Sequence, residues 1–278
     1  MNTNQKVQYS GGMPKMKRHS GGFSLVELLT VVAILSVVMV MAIPALSSLK
    51  GGMNVTNAAY EIKGILDQAR TYAIANNTFV WVGFFEEDGS QAPTTPAISG
   101  TGRIVIATVA SKDGTRGYDI TSTSLPTPPW TNSNNGSNLT PIERLHRFEN
   151  IRLAAPGVLN GSGISANANG SVGTGGMQRP GISSSEYVVA CGTGAASSVT
   201  QFAWPAGQNL GTGQYQFKTV INFDPQGICR IQYASNNDAV AKYLEVGLQL
   251  VQGQSVQTNN VAAIQIDGMT GATKLYRP

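Results

Sequence analysis

Phe23-Ser24-Leu25-Val26-Glu27-Leu28-Leu29-Thr30-Val31-Val32-Ala33-Ile34-Leu35-Ser36-Val37-Val38-Met39-Val40-Met41-Ala42-Ile43 is a run of twenty-one residues with no glycine, no proline and one charge, Glu27. As an α-helix at 1.5 Å per residue it is about 31 Å long, enough to cross a bilayer's hydrocarbon core. It is apolar on every face, which suits a helix held in lipid or in a bundle rather than one at the margin of a soluble core. Just ahead of it, Lys15-Met16-Lys17-Arg18-His19-Ser20-Gly21-Gly22 is basic, small and flexible. Positive charge before an apolar span keeps that end in the cytoplasm and sends the rest across. A charged side chain costs up to about 2.5–3.5 kcal/mol at mid-bilayer, so Glu27 reads as a functional group with a partner to be named. The plainer alternative is a carboxylate near enough to the headgroups to reach water.

A removable secretory signal shows the same basic-then-apolar order but usually has a shorter apolar region before its small-residue cleavage site. Here the apolar run is long, and Pro44-Ala45-Leu46-Ser47-Ser48 follows it. Cleavage near Ala45-Leu46-Ser47 stays open as an alternative. The chain has 278 residues, of which 12% are charged and 41% hydrophobic, so it can build a core. The net charge of +4 is concentrated at the start: residues up to Gly22 carry Lys6, Lys15, Lys17 and Arg18 and no acid. Without them the chain has fifteen bases and fifteen acids, which leaves no electrostatic footprint for nucleic acid.

Beyond the apolar run, Pro44 removes a backbone donor and is expected to kink or open the helix, and Gly51-Gly52 loosens it again. Val55, Ala59, Ile62, Leu66, Ala69 and Ala73 then recur at helical spacing, and Asn76-Asn77 would end the segment. Strands are expected at 79–85, ended by Glu86-Glu87-Asp88-Gly89, and at 103–109, within 147–153, at 186–191, 218–223, 228–233, 242–250, 261–266 and 272–276. Asp224-Pro225-Gln226-Gly227 reads as a tight turn between two of them. Segments 122–141 and 160–185, rich in Gly, Ser, Asn, Thr and Pro, read as long loops or insertions. Short strands packed on one helix make an α+β domain.

Gly22-Phe23-Ser24-Leu25-Val26-Glu27-Leu28-Leu29 resembles the processing motif of type IV prepilins and type II secretion pseudopilins. The resemblance implies that a prepilin peptidase cuts between Gly22 and Phe23 on the cytoplasmic side and that Phe23 becomes N-methylated. Glu27 then falls at the fifth mature position and Pro44 at the twenty-second, where the family often has a helix-kinking proline. FDPQG and the closing AAIQIDGMTGATKLYRP look like the tail of the GspH/FimT-type minor pseudopilins. The fold implied is pilin-like: a long N-terminal helix, membrane-spanning in its first half, packed on an antiparallel β-sheet or β-sandwich domain. The expected division is a removed leader at 1–22, a transmembrane or filament-core helix at 23–43, its amphipathic continuation at 44–77 and a periplasmic β-rich domain at 78–278. The leader is long for the family, and Met13 and Met16 are alternative starts to Met1.

The new amine at Phe23 would be a cation in an apolar surround, with Glu27 an anion in the same layer. In staggered subunits Glu27 of one copy can neutralise the amine of the next, and removing one partner of a buried pair typically costs about 3–5 kcal/mol. The expected partners are therefore prepilin peptidase, other pilins or pseudopilins in a filament, and the inner membrane, with no nucleic acid and no cofactor. Cys191 and Cys229 could bridge in an oxidising periplasm, contributing about 4 kcal/mol on the chain-entropy model, or stay as two buried thiols.

No catalytic pattern stands out. The two histidines, His19 and His146, are a thin basis for a zinc site or a triad. Glu86, Glu87 and Asp88 read as a solvated hairpin tip, or alternatively as oxygens for calcium. The leading reading is a non-enzymatic minor pseudopilin. A minor type IV pilin for adhesion, motility or DNA uptake is the close alternative, and a single-pass anchored periplasmic enzyme or binding protein is the alternative of another class.

Overall fold

A computed structural model describes residues 24–116, 138–154, 164–167, 177–180, 202–206, 213–230, 240, 242–253 and 255–277, with side chains throughout except at 40–53, 164–167, 177–180 and 258–259. The chain forms two compact units, Met1–Ser47 and Ser48–Pro278. Helix α1, Leu25–Ala75, is assigned across all 51 residues, and its helical backbone runs unbroken through Pro44 and Gly51-Gly52.

Helix α1 stops where the sequence indicates, through an asparagine. Asn77 takes φ 48°, the left-handed conformation asparagine tolerates better than most residues. Its amide donates to the Ile74 carbonyl, and the Thr78 amide donates to Ala73 at 3.1 Å. This is the paired pattern of a Schellman cap, which satisfies carbonyls the helix end would otherwise strand.

In the second unit the strands are β1 (Val80–Asp88), β2 (Gly102–Ser111), β3 (Leu139–Pro141), β4 (His146–Glu149), β5 (Ile151–Leu153), β6 (Ile164–Asn167) and β7 (Met177–Pro180). They continue with β8 (Phe202–Trp204), β9 (Tyr215–Phe217), β10 (Thr219–Phe223), β11 (Cys229–Arg230), β12 (Tyr243–Gln252), β13 (Ser255–Asp267) and β14 (Thr273–Tyr276). One sheet runs β11-β10-β1-β2-β3, with β4 also on β2; the other runs β14-β13-β12-β5. Both are antiparallel, so the protein is α+β: an N-terminal helix followed by mostly antiparallel sheets, compatible with a pilin-like fold.

Strands β4 and β5 are one stretch of chain bent at Asn150, whose φ is 61°. Before the bend it pairs with Arg103–Ile106 of β2; after it, Ile151–Leu153 pairs with Leu248–Leu250 of β12. The short strand expected within 147–153 is thus two strands in two sheets.

Side-chain alternation explains the layers. Val80, Val82 and Phe84 of β1, Ile104 and Ile106 of β2, Ile221 and Phe223 of β10, and Leu244, Val246 and Leu248 of β12 all enter one core. Val55, Ala59, Ile62, Leu66, Ala69 and Ala73 of α1 are buried in the same core, so the helical stripe read from the sequence is the face that meets both sheets. The alternate residues Trp81, Val105, Ala107, Val109 and Val220 form a second core with Phe202, Tyr215 and Phe217 of the β8–β9 hairpin. Gly83 makes that layer possible: a Cβ there would lie 2.6 Å from the Cβ of Phe217.

Three expectations are corrected. Segment 122–141 ends in a strand, β3, because Leu139 is drawn into the second core while Pro141 takes an exposed position where its missing donor is harmless. Segment 160–185 contains the parallel pair β6–β7. Strand β1 does not end before its acidic run but continues through Asp88, paired with β2 to Gly102. The remainder of both loop segments, and the strand expected at 186–191, lie outside the described residues.

Cys229 is a free thiol with no exposed surface; Cys191 lies outside the described residues. Burial pushes the Cys229 thiol well above its ordinary pKa, and the charge of Asp224 adds to the effect. Since the thiolate is the reactive form, an alkylating reagent should leave Cys229 unmodified in the native protein and label it after denaturation. Peptide mapping reads this directly; native labelling at Cys229 would contradict the burial.

Candidate assembly site at the helix N-terminus

The first turn of α1 is organised by two side chains. Ser24 precedes the helix and its carbonyl accepts the Leu28 amide at 3.1 Å, which makes Ser24 the N-cap. Its Oγ accepts the Glu27 amide at 3.3 Å, and the Ser24 amide donates to Glu27 Oε2 at 3.3 Å. This is a capping box: serine and the glutamate three residues on satisfy each other's backbone donor. The carboxylate also lies where the helix dipole favours negative charge.

The other polar side chains of the described apolar stretch are closed on the helix itself. Thr30 Oγ1 donates to the Glu27 carbonyl at 2.9 Å and Ser36 Oγ to the Val32 carbonyl at 2.7 Å. The apolar side chains from Leu25 to Met39 are exposed, Leu25 to 78%. Contiguous apolar surface of this kind marks contact with a protein or a membrane. Among the described residues no helix is long and apolar enough to cross a membrane. The described side chains of this stretch stop at Met39, short of the roughly 20 residues a span needs.

Residues 17–43 match the prokaryotic N-terminal methylation motif. The match begins in the basic segment, covers Gly22, Phe23, Ser24 and Glu27, and ends at Ile43 before Pro44. It supports a type IV pilin-like protein that is processed by prepilin peptidase, assembles with other pilins and is membrane-anchored or pilus-associated. No curated protein and no solved structure matches the chain. Gly22 and Phe23 lie outside the described residues. Ser24 was not singled out from the sequence, although its Ser-x-x-Glu spacing ahead of an apolar run is the signature of a capping box.

Elsewhere the candidate groups have structural roles. The acidic run at the end of β1 is not a solvated tip. Glu87 is buried and lies 3.1 Å from Arg103 Nη1, and Glu86 Oε1 accepts the Leu153 amide at 3.0 Å. Asp88 accepts bonds from the Ser90 amide and hydroxyl at 2.9 and 2.6 Å. Tyr215 Oη donates to Glu87 at 3.4 Å, and Arg147 lies over the Tyr215 ring and donates to its hydroxyl. Burial raises the Tyr215 pKa, only partly offset by Arg147. His146 sits between Glu143, at 2.7 Å, and Glu61 of α1, at 3.6 Å. Among the described residues no group of three His, Cys, Asp or Glu side chains is arranged to hold a metal ion.

Proposed function

We propose that this chain is a non-enzymatic minor pseudopilin of a type II secretion-like pseudopilus. Prepilin peptidase cuts it between Gly22 and Phe23, and it sits in the inner membrane with its β-rich domain in the periplasm until it enters the fibre. The observation that carries this reading is the methylation motif at 17–43, with one carboxylate, Glu27, in an otherwise apolar rod. Two further features support it. The amphipathic part of α1 is buried against two antiparallel sheets, as a pilin-like subunit requires. The acid–base balance beyond Gly22 is even, which favours protein partners over nucleic acid.

In this reading Glu27 neutralises the Phe23 amine of an adjoining subunit and fixes register. The GspH/FimT-type assignment rests on the FDPQG turn and the closing strands. The Asp224 carboxylate accepts the Gln226 and Ile228 amides, both at 2.9 Å, which gives that turn its shape. A minor type IV pilin in adhesion, motility or DNA uptake is the second reading, and the same motif supports it.

Mass spectrometry of the mature protein tests the proposal. The expected N-terminus is methylated Phe23, and the Glu27→Val variant should show the same terminus yet fail to enter filaments. An intact leader, or a chain starting near Ser48, would sink the pilin reading. Normal incorporation of Glu27→Val would remove Glu27 from the assembly step.

A further inference from the structure

We propose that the outward face of α1 built by Asn57, Tyr60, Gly64, Gln68 and Thr71 receives the apolar helix of an adjoining pilin-type subunit. The inference rests on the pilin reading above and adds to it a receiving surface. All five residues are exposed, Tyr60 to 63%. At about 100° per residue they share an arc of roughly 80°, opposite the stripe from Val55 to Ala73 that enters the core.

The outward face of an amphipathic helix normally carries charge. This arc carries none and is bordered by Asp67 on one side and Glu61 on the other. Both border acids are engaged within the chain. Asp67 bonds Lys63 at 2.6 Å and accepts the Thr273 hydroxyl, and Glu61 lies 3.6 Å from His146 Nδ1. Thr71 closes its hydroxyl on the Asp67 carbonyl at 2.8 Å, as Thr30 and Ser36 close theirs within the apolar rod.

Gly64 gives the face its purpose. A glycine inside a helix lowers the folding equilibrium about fivefold relative to alanine. Gly83 and Gly271 have reasons inside the chain, since a Cβ at either would collide with a neighbour. At Gly64 a Cβ would meet nothing within 4 Å. What a bare Cα on an exposed helix offers is close approach by a second backbone, the use that small residues have where helices pack together.

The occupant follows from the assembly. The methylation motif supports assembly with other pilins, and an open fibre needs two different surfaces on each subunit, one that inserts and one that receives. The inserting surface is the rod, exposed from Leu25 to Met39 with one charge, on the same helix as the receiving face. A face without charge takes such a rod with no ion to desolvate, a tyrosine to pack on it and a glycine that lets the axes draw together.

Full-length chain with the photoreactive residue benzoylphenylalanine in place of Tyr60 tests this in assembled filaments, the adduct being mapped by peptide mass spectrometry. The expected adduct joins position 60 to the N-terminal apolar helix of an adjoining subunit. Gly64→Ala should raise the denaturant midpoint of the solubilised protein. Gly64→Leu should fold, yet enter filaments about tenfold less, as overpacking of a close contact implies. An adduct with lipid or with a globular domain, no adduct in assembled filaments, or Gly64→Leu incorporated at the unaltered level overturns the receiving face and leaves the pilin reading standing. An unaltered chain that never enters a filament overturns both.

Discussion

Arg103→Met is expected to destabilise the folded protein by about 3–5 kcal/mol, the loss that follows when one partner of a buried ion pair is removed. Arg103, the second residue of β2, has its side chain 9% exposed and faces Glu87 of β1 at 3%. Its Nε donates to Glu149 Oε1 at 2.6 Å, but Glu149 is 54% exposed. Burial works against the charge on Arg103, yet hydrogen bonds and attraction from Glu149 and Glu87 together raise its pKa. The two acids should therefore differ in weight. Losing Arg103 strands Glu87 in the interior, whereas Glu149→Ala should cost under about 1 kcal/mol, as exposed pairs do. Replacing both buried charges, Glu87→Leu with Arg103→Met, should recover most of the loss, because no orphan charge remains. Denaturant midpoints of the detergent-solubilised protein measure all three variants. A loss below about 1 kcal/mol for Arg103→Met alone would show that water reaches Glu87.

Gly271→Ala is expected to cost about 2–5 kcal/mol and to loosen α1 from the sheets. Gly271 sits at φ +66°, where an alanine costs about 1–2 kcal/mol. Its Cβ would also run into the carbonyl oxygen of Gly227 and lie 2.8 Å from Arg70 Cδ, adding about 1–3 kcal/mol of overpacking. Around this point the helix is bonded to the β13–β14 segment, which is itself bonded to β11. Arg70 Nε donates to the Thr270 carbonyl at 2.6 Å, Thr273 Oγ1 to Asp67 at 2.5 Å, and the Cys229 amide to the Gly268 carbonyl at 2.8 Å. Gly253→Ala is the control. It has a similar φ, +62°, and open space where the Cβ would stand, so only the backbone cost of about 1–2 kcal/mol should appear. Amide exchange in the last turns of α1 should quicken in Gly271→Ala and not in Gly253→Ala. Equal effects of the two variants would mean the tie between turn and helix carries no weight.

The helix and its inward stripe are legible because period and composition are local properties: Val55 to Ala73 follow one face, and Asn77 ends the helix as an asparagine in the left-handed region can. Strands β1, β2, β10, β12 and β14 are legible for the same reason. Glu86-Glu87-Asp88 misleads because its meaning is set far away. The Leu153 amide reaches Glu86 across 67 residues and Tyr215 reaches Glu87 across 128, and no short window shows such partners. Three-residue strands such as β3, β8 and β9 owe their existence to the core they cap rather than to their own propensity. The candidate site divides similarly. Glu27 is visible as the lone charge in an oily run, while the role of Ser24 follows from a spacing that becomes meaningful only once the helix start is known.

The bend at Asn150 has a consequence for how copies of this chain can meet. An unpaired strand margin offers bare amides and carbonyls to any other chain, and proteins kept at high local concentration must cover such margins. Here the eight residues from His146 to Leu153 cover a margin of each sheet in turn, the Arg103–Ile106 side of one and the Leu248–Leu250 side of the other. Along that seam β2 and β12 are covered, and the outer positions pass to the short strands β4 and β5.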